Sequence, residues 1–159
     1  MEHKLEVQRE PKAADRVQVI LLDETWAEQI CRVEAACFSH PWGRRAVTDE
    51  MFSGLCFGAE IDGELAGFCL MSQILDEGTV LRLAVLPSMR RQGLARRLLT
   101  DTLKRGTEQG ICSVFLEVST ENQPALGLYR SIGFAPLQIR KGYYGGGRED
   151  ALTMVWRKG

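Results

Sequence analysis

The stretch VLRLAVLPSMRRQGLARRLL, residues 80–99, constrains the fold more than any other part of the chain. An apolar β-like run meets Pro87, which has no N–H to continue a ladder. A basic turn with one glycine follows, and then a helix that carries Leu94, Leu98, Leu99 and Leu103 on one face and closes at Gly110. A strand that feeds a helix in this way calls for an α/β architecture, with the leucine face of the helix laid on a sheet. The same junction has a chemical consequence. The first N–H groups of a helix lack intrahelical partners and sit at the positive end of its dipole, so main chain alone can bind an anion there. Gly93 permits close approach, and Arg90 and Arg91 add charge. No second glycine followed by Lys-Ser/Thr is present, which argues against a nucleotide-hydrolysing P-loop. Nor is the pattern G-x-G-x-x-G, which argues against a dinucleotide fingerprint. Taken alone, the turn also reads as an ordinary helix start with solvated arginines.

The flanking segments fit a single α/β domain over residues 17–159, preceded by a charged, flexible extension over residues 1–16. VQVILL reads as a first strand. Asp23 caps an amphipathic helix with Trp26, Ile30, Val33 and Cys37 at helical spacing. SHPWG breaks that helix, and a second one spans about Arg44 to Phe52. Asp62-Gly63 lies between two apolar runs and predicts a hairpin. Gly106, inside the leucine-rich helix, is expected to cost it about 1 kcal/mol. ICSVFLEV is apolar enough to be buried on both faces. Pro124 suits the first turn of a helix carrying Leu126, Leu128, Tyr129 and Ile132 and closed by Gly133. FAPLQIR and DALTMVW read as a closing strand pair around the loop KGYYGGGRE.

Composition narrows the function. The chain has 20 basic and 21 acidic residues, so no global field favours nucleic acid or membrane, and any anion site is local. The five cysteines form no C-x-x-C pair, four of them sit in apolar surroundings, and a reducing cytoplasm is expected. No apolar run approaches the roughly 18 residues of a membrane span, and residues 1–16 lack the core of a signal peptide. With His3 and His40 the only histidines, neither a histidine metal site nor a Ser-His-Asp triad is expected. Acid and base must come from Glu, Asp, Tyr or Cys.

The blocks LAVLPSMRRQGLARRLL, LEVSTENQPALGLYRSIGF and GYYGGGREDALTM resemble the GNAT superfamily of acetyl-CoA-dependent N-acetyltransferases over roughly residues 17–157. HPW, LDEGT and YYGGGREDA are similar to its RimI type, which acetylates the N-terminal alanine of a small-subunit ribosomal protein. The resemblance implies a mixed, mostly antiparallel sheet splayed in a V and flanked by about four helices. It implies that Leu83, Ala84 and Val85 contact the pantetheine arm of acetyl-CoA. Arg91, Gln92, Gly93, Leu94, Ala95 and Arg96 would wrap the pyrophosphate, and Asn122 would contact the cofactor. Ala95 stands where the family often has a second glycine, but it keeps the backbone N–H. Glu117 corresponds to the general base and Tyr129 to the general acid, with no metal.

The residues themselves suit these roles. Glu117 is the one charge in the strand from Ile111 to Val118, so its carboxylate must be paired or shifted. A salt-bridged strand-end glutamate is the alternative. A tyrosine near a thiolate leaving group can return a proton to sulfur, although Tyr129 also reads as an amphipathic core residue. Glu34 is a reserve base, with a helix-surface position expected for it. Trp42, Tyr143 and Tyr144 are expected to contact the acceptor, and Ser119 stands where relatives can carry a basic residue. The expected reaction is direct attack by an amine in a ternary complex, since no cysteine is expected beside the thioester. The rivals are an acetyltransferase for a small amine, a free amino acid or a lysine side chain, and a CoA-binding sensor without turnover.

Overall fold

Asp62 and Gly63 adopt φ of 51° and 84°, the two left-handed positions of a tight hairpin turn, and fix the register of the strands on either side. In the computed structural model, which describes residues 13–159, these strands are β2 (Gly54–Ile61) and β3 (Glu64–Ile74). Before them come β1 (Gln18–Leu21), α1 (Ala27–Cys37) and α2 (Arg44–Ser53). After them follow β4 (Glu77–Val85), α3 (Leu94–Glu108), β5 (Ser113–Ser119), α4 (Gln123–Ile132), β6 (Ala135–Tyr144) and β7 (Glu149–Arg157). Most of the expected N-terminal extension lies outside the described residues. Its last four residues, Ala13–Arg16, form a 3₁₀ turn, and Arg16 pairs with Asp62 at 3.3 Å.

The seven strands form one sheet in the order β1-β2-β3-β4-β5-β7-β6, antiparallel throughout except between β4 and β5. Helices cover both faces. Leu94, Leu98, Leu99 and Leu103 of α3 and Leu126 of α4 bury against Phe57, Cys69, Met71, Leu116 and Met154. Ile30, Val33 and Val47 of α1 and α2 bury against Cys56, Phe68, Leu70 and Ala84 on the opposite face. Residues 68–71 of β3 therefore alternate between the two cores, as the pleat requires. Leu98 and Leu99 are completely buried, and removal of each side chain from water stabilises the fold by about 1.5–3 kcal/mol.

Several sequence expectations change here. β5 is not buried on both faces: Val114, Leu116 and Val118 are buried, while Phe115, Glu117 and Ser119 are only partly covered. The reason is that β4 and β5 pair at only three positions, Glu77 with Ser113, Gly78 with Val114 and Thr79 with Phe115. Beyond Thr79 the strands diverge, and the sheet opens as a V. The expected loop KGYYGGGRE is shorter than its sequence suggests. β6 continues through an irregularity to Tyr144, which puts Tyr143 and Tyr144 on the strand rather than at the tip. Of the five cysteines only Cys56 and Cys69 are buried; Cys31 and Cys37 are half-buried and Cys112 is exposed.

Candidate active site

The first cavity follows from the V. Leu86 N donates to Ala66 O at 2.8 Å, so Leu86–Ala66 is a hydrogen-bonded antiparallel pair. Hydrogen-bonded and non-bonded pairs alternate along such a ladder, and Val85–Gly67 and Leu83–Cys69 fall on the non-bonded positions. Leu83 and Val85 thus turn their N–H and C=O groups away from β3, into the gap that β5 has vacated. The Val85 carbonyl is already used, accepting from Arg90 Nε at 3.0 Å and from Cys37 Sγ at 3.4 Å. The others face a groove of about 650 Å³.

The far end of this groove is the basic turn. Arg91 and Gly93 take φ of 63° and 77°, coiling the chain tightly before α3. The first intrahelical bond is Arg97 N to Gly93 O, so the N–H groups of Leu94, Ala95 and Arg96 have no partner in the helix. Of the ten residues expected to hold the cofactor, nine line the groove: Leu83, Ala84, Val85, Arg91, Gly93, Leu94, Ala95, Arg96 and Asn122. Gln92 does not. The Arg96 guanidinium donates to Ser131 Oγ at 2.5 Å. Asn122 caps α4, its Oδ1 accepting from Ala125 N at 3.2 Å. Cys37 also lines the groove, contrary to the expectation that no cysteine lies beside the thioester position. Its thiol is already engaged as a donor to Val85 O.

A second cavity of about 380 Å³ lies between β4 and β5 and shares Phe38, Leu83, Asn122 and Tyr129 with the first. Its walls carry Glu117, Glu149, Arg82 and Tyr144. Burial, with lesser help from Cys69 and Tyr144, pushes the Tyr129 phenol up to about 12. Its ring packs on Phe134, with centroids 5.9 Å apart. Glu117 is paired, as its isolation in the strand required: its Oε1 lies 3.0 Å from Arg140 Nη1. Hydrogen bonding to Glu117 holds the Tyr143 phenol above its ordinary value, and burial does the same for Tyr144. The two tyrosine rings meet edge to face at 4.9 Å.

Trp42 lines neither cavity; it packs on Arg82. Glu34, expected on the helix surface, is completely buried. Its Oε2 accepts from Trp42 N at 3.0 Å, and its Oε1 lies 3.0 Å from Arg82 Nε, an ionic contact outside hydrogen-bond angles. Arg82 and Glu149 escaped the sequence reading. Arg82 looks like a stray charge in an apolar strand, and Glu149 like one more charge in GRED. Only the fold brings Glu149 Oε2 to within 2.6 Å of Ser119 Oγ.

A sequence profile described as the Acetyltransferase (GNAT) family matches residues 27–134. The chain belongs to the GNAT acetyltransferase family. The [ribosomal protein bS18]-alanine N-acetyltransferase of Escherichia coli K12 is 34% identical over 126 residues, covering 77% of this chain and 85% of the relative. The bS18-alanine enzyme of Haemophilus ducreyi is 35% identical over 142 residues, covering 83% and 97%. The crystal structure of the E. coli ribosomal-protein-S18-alanine N-acetyltransferase superposes with a TM-score of 0.84 at 31% identity, over 89% of this chain and 93% of that one. The V-shaped sheet and four flanking α-helices are thus the GNAT fold, as the sequence resemblance implied. Among the described residues, no helix is long and apolar enough to cross a membrane.

Proposed function

We propose that this GNAT enzyme transfers the acetyl group of acetyl-CoA to the N-terminal α-amine of a protein, an alanine of a small-subunit ribosomal protein in the cytoplasm, without a metal. The observation that carries this is the meeting of two cavities at Tyr129, with Glu117 on the wall of the second. The first suits acetyl-CoA. The unpaired backbone groups of Leu83 and of Val85 N–H match an amide-bearing arm, and the free N–H groups at the start of α3 match a pyrophosphate. Leu83, Ala84, Val85, Arg91, residues 93–96 and Asn122 would hold it. Bound there, acetyl-CoA supplies an acyl group activated as a thioester.

The protein's own groups move the protons. Glu117 accepts the proton that the amine sheds as its nitrogen bonds to the acyl carbon. Tyr129 donates its proton to the sulfur as the carbon–sulfur bond breaks. Val85 N–H, directed into the gap, offers a donor to the acyl oxygen as that oxygen gains charge. Tyr143 and Tyr144 flank Glu117 on the acceptor side, and Trp42 backs that wall through Arg82.

An α-amine with a pKa near 7.7–8.0 needs only about 1 kcal/mol to become neutral at pH 7, against nearly 5 kcal/mol for a lysine at about 10.4. A single carboxylate base therefore favours the α-amine. The similarity to bS18-alanine N-acetyltransferases supports the same acceptor class. The test is mass spectrometry after incubation with acetyl-CoA and an alanine-initiated peptide, against the same peptide with its N-terminus blocked and a lysine free. Acetylation of the α-amine is expected. Equal modification of the blocked peptide refutes the assignment.

A further inference from the structure

Arg82 is held in an unusual degree of confinement for a residue of the acceptor wall. Its guanidinium carbon lies over two aromatic rings, 4.1 Å from the Phe38 ring centroid and 4.5 Å from that of Trp42. Its Nε is fixed 3.0 Å from Glu34 Oε1, and Glu34 is itself fully buried and anchored on Trp42 N. Three elements, α1, the segment after it and β4, thus converge to fix one side chain. Nη1 and Nη2 have no acceptor among the described residues. The residue lines the cavity that also holds Glu117, Glu149 and Tyr144. Its charge reaches across that cavity, opposing the upward push of burial and of Glu117 on the Tyr144 phenol. The cavity is therefore bipolar, with carboxylates on one wall and a rigid planar donor on the other.

We infer that Arg82 is a specificity-determining residue that binds the carbonyl oxygen of the first residue of the acceptor chain. A guanidinium packed against the Phe38 and Trp42 rings, with its Nε beside Glu34, has its outer nitrogens left to donate, and that edge selects an oxygen acceptor in its plane. An N-terminal residue presents such an oxygen on the carbon next to the one bearing its amine. A lysine ε-amine carries its nearest carbonyl a whole side chain away. With the amine directed to Glu117, only an α-amine can satisfy both walls at once. This inference rests on the α-amine reading above.

The test uses an alanine-initiated peptide and an isostere in which the first carbonyl and its amide nitrogen are replaced by a methylene ether linkage. Arg82→Met alone would leave Glu34 buried without its partner, so the variant is Arg82→Met combined with Glu34→Gln, which keeps an acceptor for Trp42 N–H. In the unaltered protein the isostere is expected to raise the peptide KM about 10- to 100-fold, the worth of one charge-assisted hydrogen bond. In the double variant the two peptides should have the same KM, close to that of the isostere with the unaltered protein, and the KM for acetyl-CoA should be unchanged. A carbonyl preference that survives in the double variant overturns the role of Arg82. So does an equal weakening of both peptides, which marks a structural residue. If the unaltered protein does not acetylate the parent peptide at all, the α-amine assignment itself fails, and the Arg82 role falls with it.

Discussion

Tyr129→Phe is the perturbation with the most to say about the chemistry. The phenylalanine ring retains the contact with Phe134 at 5.9 Å, and the lost hydroxyl has no protein hydrogen-bond partner among the described residues, so the fold should be unaffected. What disappears is the proton for the departing sulfur. General acids of this kind contribute about 10²- to 10⁴-fold, and kcat is expected to fall by at least about 10²-fold with little change in the KM for acetyl-CoA. The pH profile carries the structural content. An ordinary phenol near 10 would be about a tenth ionised at pH 9, whereas one pushed up to about 12 is about a thousandth ionised. The kcat of the unaltered enzyme should therefore rise between about pH 6 and 8.5, as the amine loses its proton, and then hold level beyond pH 10. The assay is a stopped-time measurement of CoA release over that range, for both proteins. A decline centred near pH 10 in the unaltered enzyme would refute the burial of the phenol. A phenylalanine variant within about threefold of it would refute the acid role.

Glu117→Gln removes the proton acceptor and should lower kcat about 10²-fold while acetyl-CoA still protects against thermal unfolding; unchanged turnover returns Glu117 to a salt-bridge role with Arg140. At Gly93 a Cβ would meet nothing within 4 Å, yet φ is +77°, so Gly93→Val strains the turn by about 1–2 kcal/mol without a clash. The Tm increase on adding CoA should vanish while circular dichroism stays native, and a preserved increase would remove the turn from the cofactor site. Burial pushes Tyr129 and Cys69 each up to about 12 and Cys56 up as well, so the folded state keeps protons that the unfolded chain sheds above about pH 9. Stability is therefore fully present below the unfolded values and is lost as pH rises through the folded ones, with Tyr129 alone contributing about 2–3 kcal/mol by pH 12. Urea unfolding at pH 8 and 10.5 checks this, and equal midpoints would contradict it.

Local signals reached the sequence directly. The Asp62-Gly63 hairpin, the leucine face of α3, the proline start of α4 and the anion-ready turn before Leu94 all depend on residues within one or two helical turns of each other, where φ preference and periodicity act without help from distant chain. Glu117 stands out as a lone carboxylate in an apolar strand, which requires the partner it finds in Arg140, whereas base and acid roles for Glu117 and Tyr129 are what the family resemblance implies. What the tertiary structure alone decided is everything that joins distant segments. Gly106 reads as a helix defect, yet a Cβ there would come 2.8 Å from Met71 Cε and 3.1 Å from Ile111 Cδ1, so the glycine is what lets α3 settle on the sheet. Glu34 reads as surface charge, and Arg82 as an intruder in β4. Packing turns them into an ion pair in which Glu34 is fully buried and Arg82 partly so, because the guanidinium supplies the countercharge that makes burial of the carboxylate tolerable. No pattern of spacing records that, since the two residues are separated by two strands and a helix and meet only when the sheet closes the distance.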